Sequence, residues 1–303
     1  MSDRPLARVA LFLPVGMSTP RLFPVNPLPP SATLATALRL HWREYLMEGA
    51  EIGLLMLGTC VSGTLLYSRD SPLYSLALSR TVRSLLMGAG VAITALAIIT
   101  SPIGRRSGAH MNPSVTATFF WLGRVHRWDA ACYIAAHFAG ALAGVLVARE
   151  IVGARLAAPP VQYLVTVPGT YGSPSALVAE FALSALLMGV VLYASNHFFL
   201  SRFTPIFVAL LTVLYYGASS SIAGYSINPA RSFASALFAW VWRGIWIYFV
   251  APALGMVTAA TIYVRIMGPN NVYCAKIFHD LHSTCPFPCR FVQLYEESTR
   301  RRS

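Results

Sequence analysis

Charge is scarce in this 303-residue chain: Asp, Glu, Lys and Arg together make up 11% of it, where about a quarter is usual in soluble globular proteins. Acidic residues number 11, and lysine occurs once, at Lys276, so almost every positive charge is an arginine. So little charge excludes a water-soluble globular enzyme, and a hydrophobic content of 56% excludes a disordered chain. Cysteine is sparse as well. Cys60 and Cys132 lie in apolar segments, while Cys274, Cys285 and Cys289 cluster near the C-terminus. That distribution builds no extracellular disulfide framework, and no disulfide is expected. With a mean hydropathy of +0.58, the composition is that of a polytopic membrane protein.

Six nearly uncharged runs are long enough to cross about 30 Å of hydrocarbon as helices. They extend from Tyr45 to Tyr67, Ser84 to Gly104, Ala130 to Ala148, Ala176 to Ser195, Phe203 to Ala223 and Gly244 to Val264. Two further apolar segments, Asn112 to Leu122 and Asn228 to Trp240, are only about half the length of a span. The proline-rich residues 1–43 read as a mobile tail. Their Val9–Gly16 run is a poor secretion signal because it contains Pro14 and lacks a clear small-residue cleavage site.

A net charge of +12 suggests nucleic acid in a soluble protein, but in a membrane protein it reports topology, and no nucleic-acid partner is expected. Six spans put both ends on one side. That side receives Arg4, Arg8, Arg21, Arg39, Arg43, Arg105, Arg106, Arg124, Arg127, Arg202, Arg265, Lys276, Arg290 and Arg300 to Arg302. The opposite side receives Arg69, Arg80, Arg83, Arg149, Arg155 and Arg243. The positive-inside bias makes both termini cytoplasmic.

The two short segments open alike, with Ser107-Gly108-Ala109-His110-Met111-Asn112-Pro113-Ser114 in the first half and Gly224-Tyr225-Ser226-Ile227-Asn228-Pro229-Ala230-Arg231 in the second. Asn is a strong N-cap, and Pro fits the first helical turn, where its missing N–H costs nothing. Each half therefore reads as three spans plus one Asn-Pro half-helix. With three spans per half, the second copy is inserted upside down relative to the first. Two half-helix N-termini then meet near the midplane, where their dipoles repel cations. An acid near the first span of each half, Glu48 or Glu51 and then Glu180, extends the repeat. Small residues, Gly140, Ala143 and Gly144 in the third span and Gly255 in the sixth, suit close helix contact.

These motifs resemble the signature of the major intrinsic proteins, the aquaporin and aquaglyceroporin family, over residues 44–267. The resemblance implies an all-α membrane fold of six transmembrane helices and two re-entrant half-helices in an inverted repeat, with halves 44–155 and 175–267. It implies a passive channel for water and small uncharged solutes, without a cofactor and assembled as a homotetramer. Asn112 and Asn228 become paired midplane donors, and Arg231 the arginine of the selectivity filter. Tyr225, Tyr216 and Val91 take the other filter positions. Glu180 and one of Glu48 and Glu51 become loop anchors. His110 falls where a backbone carbonyl lines the inner vestibule.

The chain also departs from the pattern. Ser114 replaces the usual Ala after the first Asn-Pro, Tyr216 stands where water channels carry His, and Ser232 where glycerol channels carry Asp. The preferred solute therefore stays open between water and a small polyol such as glycerol.

A coupled secondary transporter is the alternative of another class, because it too uses inverted repeats and half-helices. It would need intramembrane groups for a coupling ion, and the available acids serve better as anchors. No nucleophile and base constellation marks an enzyme. In the tail 268–303, Cys274, His279, His282, Cys285 and Cys289 are of metal-ligating type, but their spacing matches no strong zinc signature, and reduced thiols without metal are expected. Compact size and short loops suit a bacterial inner membrane.

Overall fold

The computed structural model describes residues 24–76, 78–280 and 282–294. The Val9–Gly16 run, Arg4, Arg8 and Arg21 at one end and Arg300 to Arg302 at the other lie outside the described residues.

The first helix, α1 (Leu34–Tyr67), is 34 residues long and begins where Thr33 accepts from the Thr36 amide at 3.3 Å. It starts well before Tyr45, the limit that apolar length sets, so residues 34–43 are helix and not a loose tail. The reason is that the buried polar residues at and just beyond this extension are paired. His41 Nδ1 lies 2.8 Å from Asp129 Oδ1, Tyr45 donates to the same oxygen at 2.6 Å, and Arg106 Nε donates to Glu44 Oε1 at 2.8 Å.

Helix α2 (Arg80–Thr100) is capped by the Ser79 hydroxyl. The span expected to reach Gly104 ends at Thr100, and the next residues open a six-residue helix, α3 (Pro102–Ser107), with Ser101 as cap and Pro102 in the first turn. Then come α4 (Pro113–Trp121) and α5 (Arg127–Val152). The second half repeats the plan with α6 (Gly172–Ser195), α7 (Thr204–Ser219), α8 (Pro229–Ala239) and α9 (Ile247–Met267).

Among the described residues, six helical segments are long and apolar enough to cross a membrane: α1, α2, α5 extended to Leu156, α6, α7 extended back to Ser201, and α9. Helices α4 and α8 are half-length. Within the halves, α1 packs on α5 and α6 on α9, while α2 packs on α7 between them. Each half-helix reaches into the other half, α4 against α9 and α8 against α5. That exchange makes the two halves one body with a shared core.

Glycine permits the tightest of these contacts. A Cβ on Gly140 would sit 2.0 Å from the Gly49 carbonyl oxygen, one on Gly144 2.2 Å from that of Gly53, and one on Gly255 2.3 Å from that of Phe181. Backbones approach this closely only without side chains between them. Among the described residues there is no β-strand, only an isolated parallel bridge between Val25 and Cys285.

That bridge belongs to a strap, residues 268–294, which the sequence presents as a tail. The Ile277 amide donates to the Gly108 carbonyl at 3.1 Å, and the Cys285 amide to that of Pro24 at 2.9 Å. The fully buried Phe287 ring stacks parallel to His110, with centroids 5.5 Å apart.

Candidate functional site

The centre of the molecule is built twice from the same parts. Asn112 and Asn228 have extended backbones, and their side-chain oxygens cap α4 and α8: Asn112 Oδ1 accepts from the Ser114 amide at 2.9 Å, and Asn228 Oδ1 from the amides of Ala230 at 3.1 Å and Arg231 at 3.3 Å. Pro113 and Pro229 open the two helices. The two amide nitrogens then cross over. Asn112 Nδ2 donates to the Ile227 carbonyl at 2.8 Å, and Asn228 Nδ2 to the Met111 carbonyl at 2.7 Å. An Asn amide has two N–H donors, so this bond leaves one on each side chain.

The loops leading into the caps are strained in register. Gly108, Ala109 and Met111 have positive φ in the first loop, as do Gly224, Tyr225 and Ile227 at the matching positions of the second. Four of these six are not glycine, and such a conformation persists only where surroundings over-determine it.

Carboxylates provide the restraint. Glu48 accepts from the His110 and Met111 amides at 3.0 and 2.9 Å, and Glu180 from the Ser226 and Ile227 amides at 2.8 and 2.6 Å. Of the two acids competing in the first half, Glu48 therefore holds the loop. Glu51 accepts one bond, from the Ser107 hydroxyl at 2.7 Å. His137 Nε2 lies 2.8 Å from Glu48 Oε2 and adds a further partner to that carboxylate.

Two braces are legible only in three dimensions. Tyr133 donates to the Ser107 carbonyl at 2.8 Å and Tyr248 to the Ala223 carbonyl at 2.7 Å, and these carbonyls stand at the same place before their Asn.

Arg231, on the first turn of α8, donates through Nη1 to the Thr166 hydroxyl. Thr166 lies in the connection between the halves. No periodicity or motif marks it; the one sequence signal is that the connection is long, and long loops in compact domains are commonly functional. Tyr225 packs edge-on to Tyr216 at 4.5 Å between ring centroids, and Val91 joins them in one buried cluster with Ile227. The expected filter positions from α2, α7 and the second loop thus converge.

Exposure separates the groups. Asn112 and Asn228 keep 6% of their surface open and Arg231 8%, whereas Glu48 and Glu180 keep none. The two carboxylates are fully enclosed behind the loops they hold. The Ser114 hydroxyl, which departs from the expected Ala, is buried and has no hydrogen-bond partner among the described residues.

The His110 side chain is also occupied. Nε2 lies 2.8 Å from the Ala275 carbonyl, which fixes it as the donor, and Nδ1 then accepts from Thr116 Oγ1 at 2.9 Å. Its ring is sandwiched between Phe119 and Phe287.

The strap gathers the ligand-type residues of the C-terminal segment. Cys274, His279, Cys285 and Cys289 each bring one ligand atom into a group within 4.8 Å, while His282 stands exposed outside it. All five cysteines are free.

Six spans, two half-helices entering from opposite faces and a buried arginine at their junction define an integral membrane protein of inverted-repeat architecture. The chain belongs to the major intrinsic protein family, whose model matches residues 39–263. It is 36% identical over 162 residues to an Arabidopsis thaliana protein named "Putative aquaporin NIP4-1", covering 53% of this chain and 55% of that one. It is 32% identical over 176 residues to the "Probable aquaporin NIP-type" of Nicotiana alata, covering 57% and 63%. The chain thus spans between half and two thirds of the length of these curated relatives. Its fold is shared with the aquaglyceroporin from Plasmodium falciparum, at a TM-score of 0.61 and 19% identity over 76% of this chain and 98% of that one.

Proposed function

We propose that the protein is a passive channel for water and small uncharged solutes that excludes protons and ions, with Asn112, Asn228 and Arg231 as its selective groups. The observation that carries this reading is the crossed pair of Asn amides. Each has one N–H committed to the opposite loop and one left for a passing oxygen. A molecule that accepts from both amides at once turns its own hydrogens outward in opposite directions, which breaks a continuous proton wire. The N-terminal dipole ends of α4 and α8 and the guanidinium of Arg231 add positive potential along the same path and oppose cations.

Tyr216, Tyr225 and Val91 supply an apolar wall opposite Arg231. A solute hydroxyl or water bonds the guanidinium on one side and slides along carbon on the other. Thr166 holds the guanidinium in place. We assign the protein to a homotetramer with one pore per subunit, both termini on the cytoplasmic side. Its large exposed side chains, among them Leu54, Ile93, Leu186 and Leu254, suit lipid and neighbouring subunits. The plant relatives lend no support to a bacterial inner membrane.

Stopped-flow light scattering on proteoliposomes tests the channel. Shock with an impermeant sugar should shrink vesicles faster than empty liposomes, and inward gradients of glycerol and urea report solute re-entry. Arg231→Ala should raise urea and glycerol re-entry several-fold while water flow stays above the empty control. Wild-type vesicles that behave like empty liposomes would overturn the reading. Uptake that collapses with a proton uncoupler would point to a coupled transporter.

A further inference from the structure

The chain gathers three thiols and an imidazole from a 16-residue stretch, Cys274 to Cys289, that has no long helix to position them. Cys274 Sγ and Cys285 Sγ lie 3.5 Å apart, and His279 Nε2 lies 3.1 Å from Cys289 Sγ. Four ligands about 2.0–2.3 Å from a tetrahedral centre stand roughly 3.3–3.8 Å from one another; the Cys274–Cys285 distance falls in that range, His279–Cys289 is slightly shorter, and the whole group, within 4.8 Å, needs to contract by only about 1 Å to share a cation. We propose that Cys274, His279, Cys285 and Cys289 form a structural zinc site that staples the C-terminal strap to the membrane channel.

Donor chemistry favours zinc. Three thiolates and one imidazole are a common closed, four-coordinate set for that ion, and soft sulfur ligands disfavour magnesium or calcium. Three of the four residues are buried and Cys289 is partly so, which leaves no open position for substrate and makes the site structural. The surroundings are arranged like an outer ligand shell. His279 Nδ1 lies 2.6 Å from the Asp280 carbonyl, which fixes that nitrogen as the donor and turns the Nε2 lone pair toward the sulfurs. The Phe291 amide points at Cys289 Sγ from 3.5 Å.

Charge agrees. Zn²⁺ with three thiolates carries one net negative charge. Lys276, the one lysine of the chain, is 1% exposed; its ammonium donates to two carbonyls, Arg105 at 2.5 Å and Thr284 at 2.9 Å, and its charge acts on both Asp280 and Cys285. A buried cation is stabilised by anionic centres nearby, and a three-thiolate zinc site would add to Asp280 in that role.

The site's position explains its use. Ala275, between the first ligand and Lys276, receives the His110 side chain, Ile277 pairs with Gly108, and Cys285 itself pairs with Pro24 and Asn26. A metal here would lock the first pore loop, the C-terminal strap and the N-terminal segment together.

The test is elemental analysis of the full-length protein purified in detergent and desalted after incubation with equimolar zinc chloride. About one zinc per chain is expected. Cobalt in its place should show thiolate-to-cobalt charge transfer and tetrahedral d–d bands. Cys285→Ser and Cys289→Ser should lower zinc content at least about tenfold. His282→Ala should retain it, and His279→Cys should retain it as a four-thiolate site, an outcome that a packing role for His279 does not predict. Wild-type protein without zinc or the cobalt spectrum would overturn the proposal, as would ligand variants that keep full zinc or a Cys274–Cys285 disulfide found in alkylated peptides.

Discussion

Glu48 and Glu51 stand one turn apart on the same face of α1, and only their hydrogen-bond partners separate them. Glu48 holds two strained loop amides and a histidine, whereas Glu51 holds one hydroxyl and leaves its second oxygen without a partner. Replacing Glu48 by Gln turns one acceptor into a donor facing an N–H. A buried amide left unsatisfied costs about 1–3 kcal/mol, so Glu48→Gln should lower the thermal midpoint in detergent clearly. Glu51→Gln should lower it by the smaller amount typical of one net hydrogen bond, about 0.5–1.5 kcal/mol. Equal shifts for the two variants would contradict the assignment. Sequence spacing could not separate these acids because residues three apart share a helical face. Asn112 and Asn228 were legible because a cap and a proline recur in register, and Arg231 because it is a lone charge in an apolar half-helix, where the first half has Val115. Thr166 was not, since a hydroxyl in an irregular loop acquires meaning only from the guanidinium the fold brings to it.

Helices α1 and α5 meet backbone to backbone, and the crowding is unequal. A Cβ on Gly140 would clash with the Gly49 carbonyl at 2.0 Å, while one on Gly49 would meet the Ala136 carbonyl at 3.3 Å. Gly140→Ala must therefore push the helices apart, at the cost typical of overpacking, about 1–3 kcal/mol. Gly49→Ala requires a shift of a few tenths of an ångström and should cost less. Gly189→Ala in α6, where nothing lies within 4 Å of the added carbon, should be neutral or stabilising by up to about 1 kcal/mol. Thermal midpoints of the three variants check the order, and a Gly140→Ala protein as stable as Gly189→Ala would show that the α1–α5 contact is looser than described. The six spans were readable because lipid demands apolar length. The ends of α1 and α2 were not, because outside the hydrocarbon a helix continues on paired charges and caps, as at His41–Asp129 and Ser101.

At the scale of the whole molecule, the described parts of the segments that composition presents as tails, residues 24–43 and 268–294, pack together against the first Asn-Pro loop. The strap's contacts are long-range in sequence, joining Gly108 to Ile277 and Pro24 to Cys285, and no local pattern announces them. Phe287 is the apolar centre of that closure: fully buried, it stacks on His110 and meets Tyr133 edge-on at 6.0 Å. Truncating such a ring to Ala costs about 3–5 kcal/mol. The loss falls where the strap meets the first Asn-Pro loop and Tyr133 of α5, while the α1–α5, α2–α7 and α6–α9 contacts are untouched. Phe287→Ala should therefore free the strap while the membrane helices stay folded. Limited proteolysis in detergent would then cleave between Gly268 and the C-terminus much faster than in wild type, with unchanged helical circular dichroism. The four ligand residues remain, so zinc content should also remain, which separates loss of this contact from loss of the metal. Cleavage at the wild-type rate would mean that the strap is held by its backbone pairs and side-chain cluster alone, and that the ring over His110 fills space without fastening the strap to the helices.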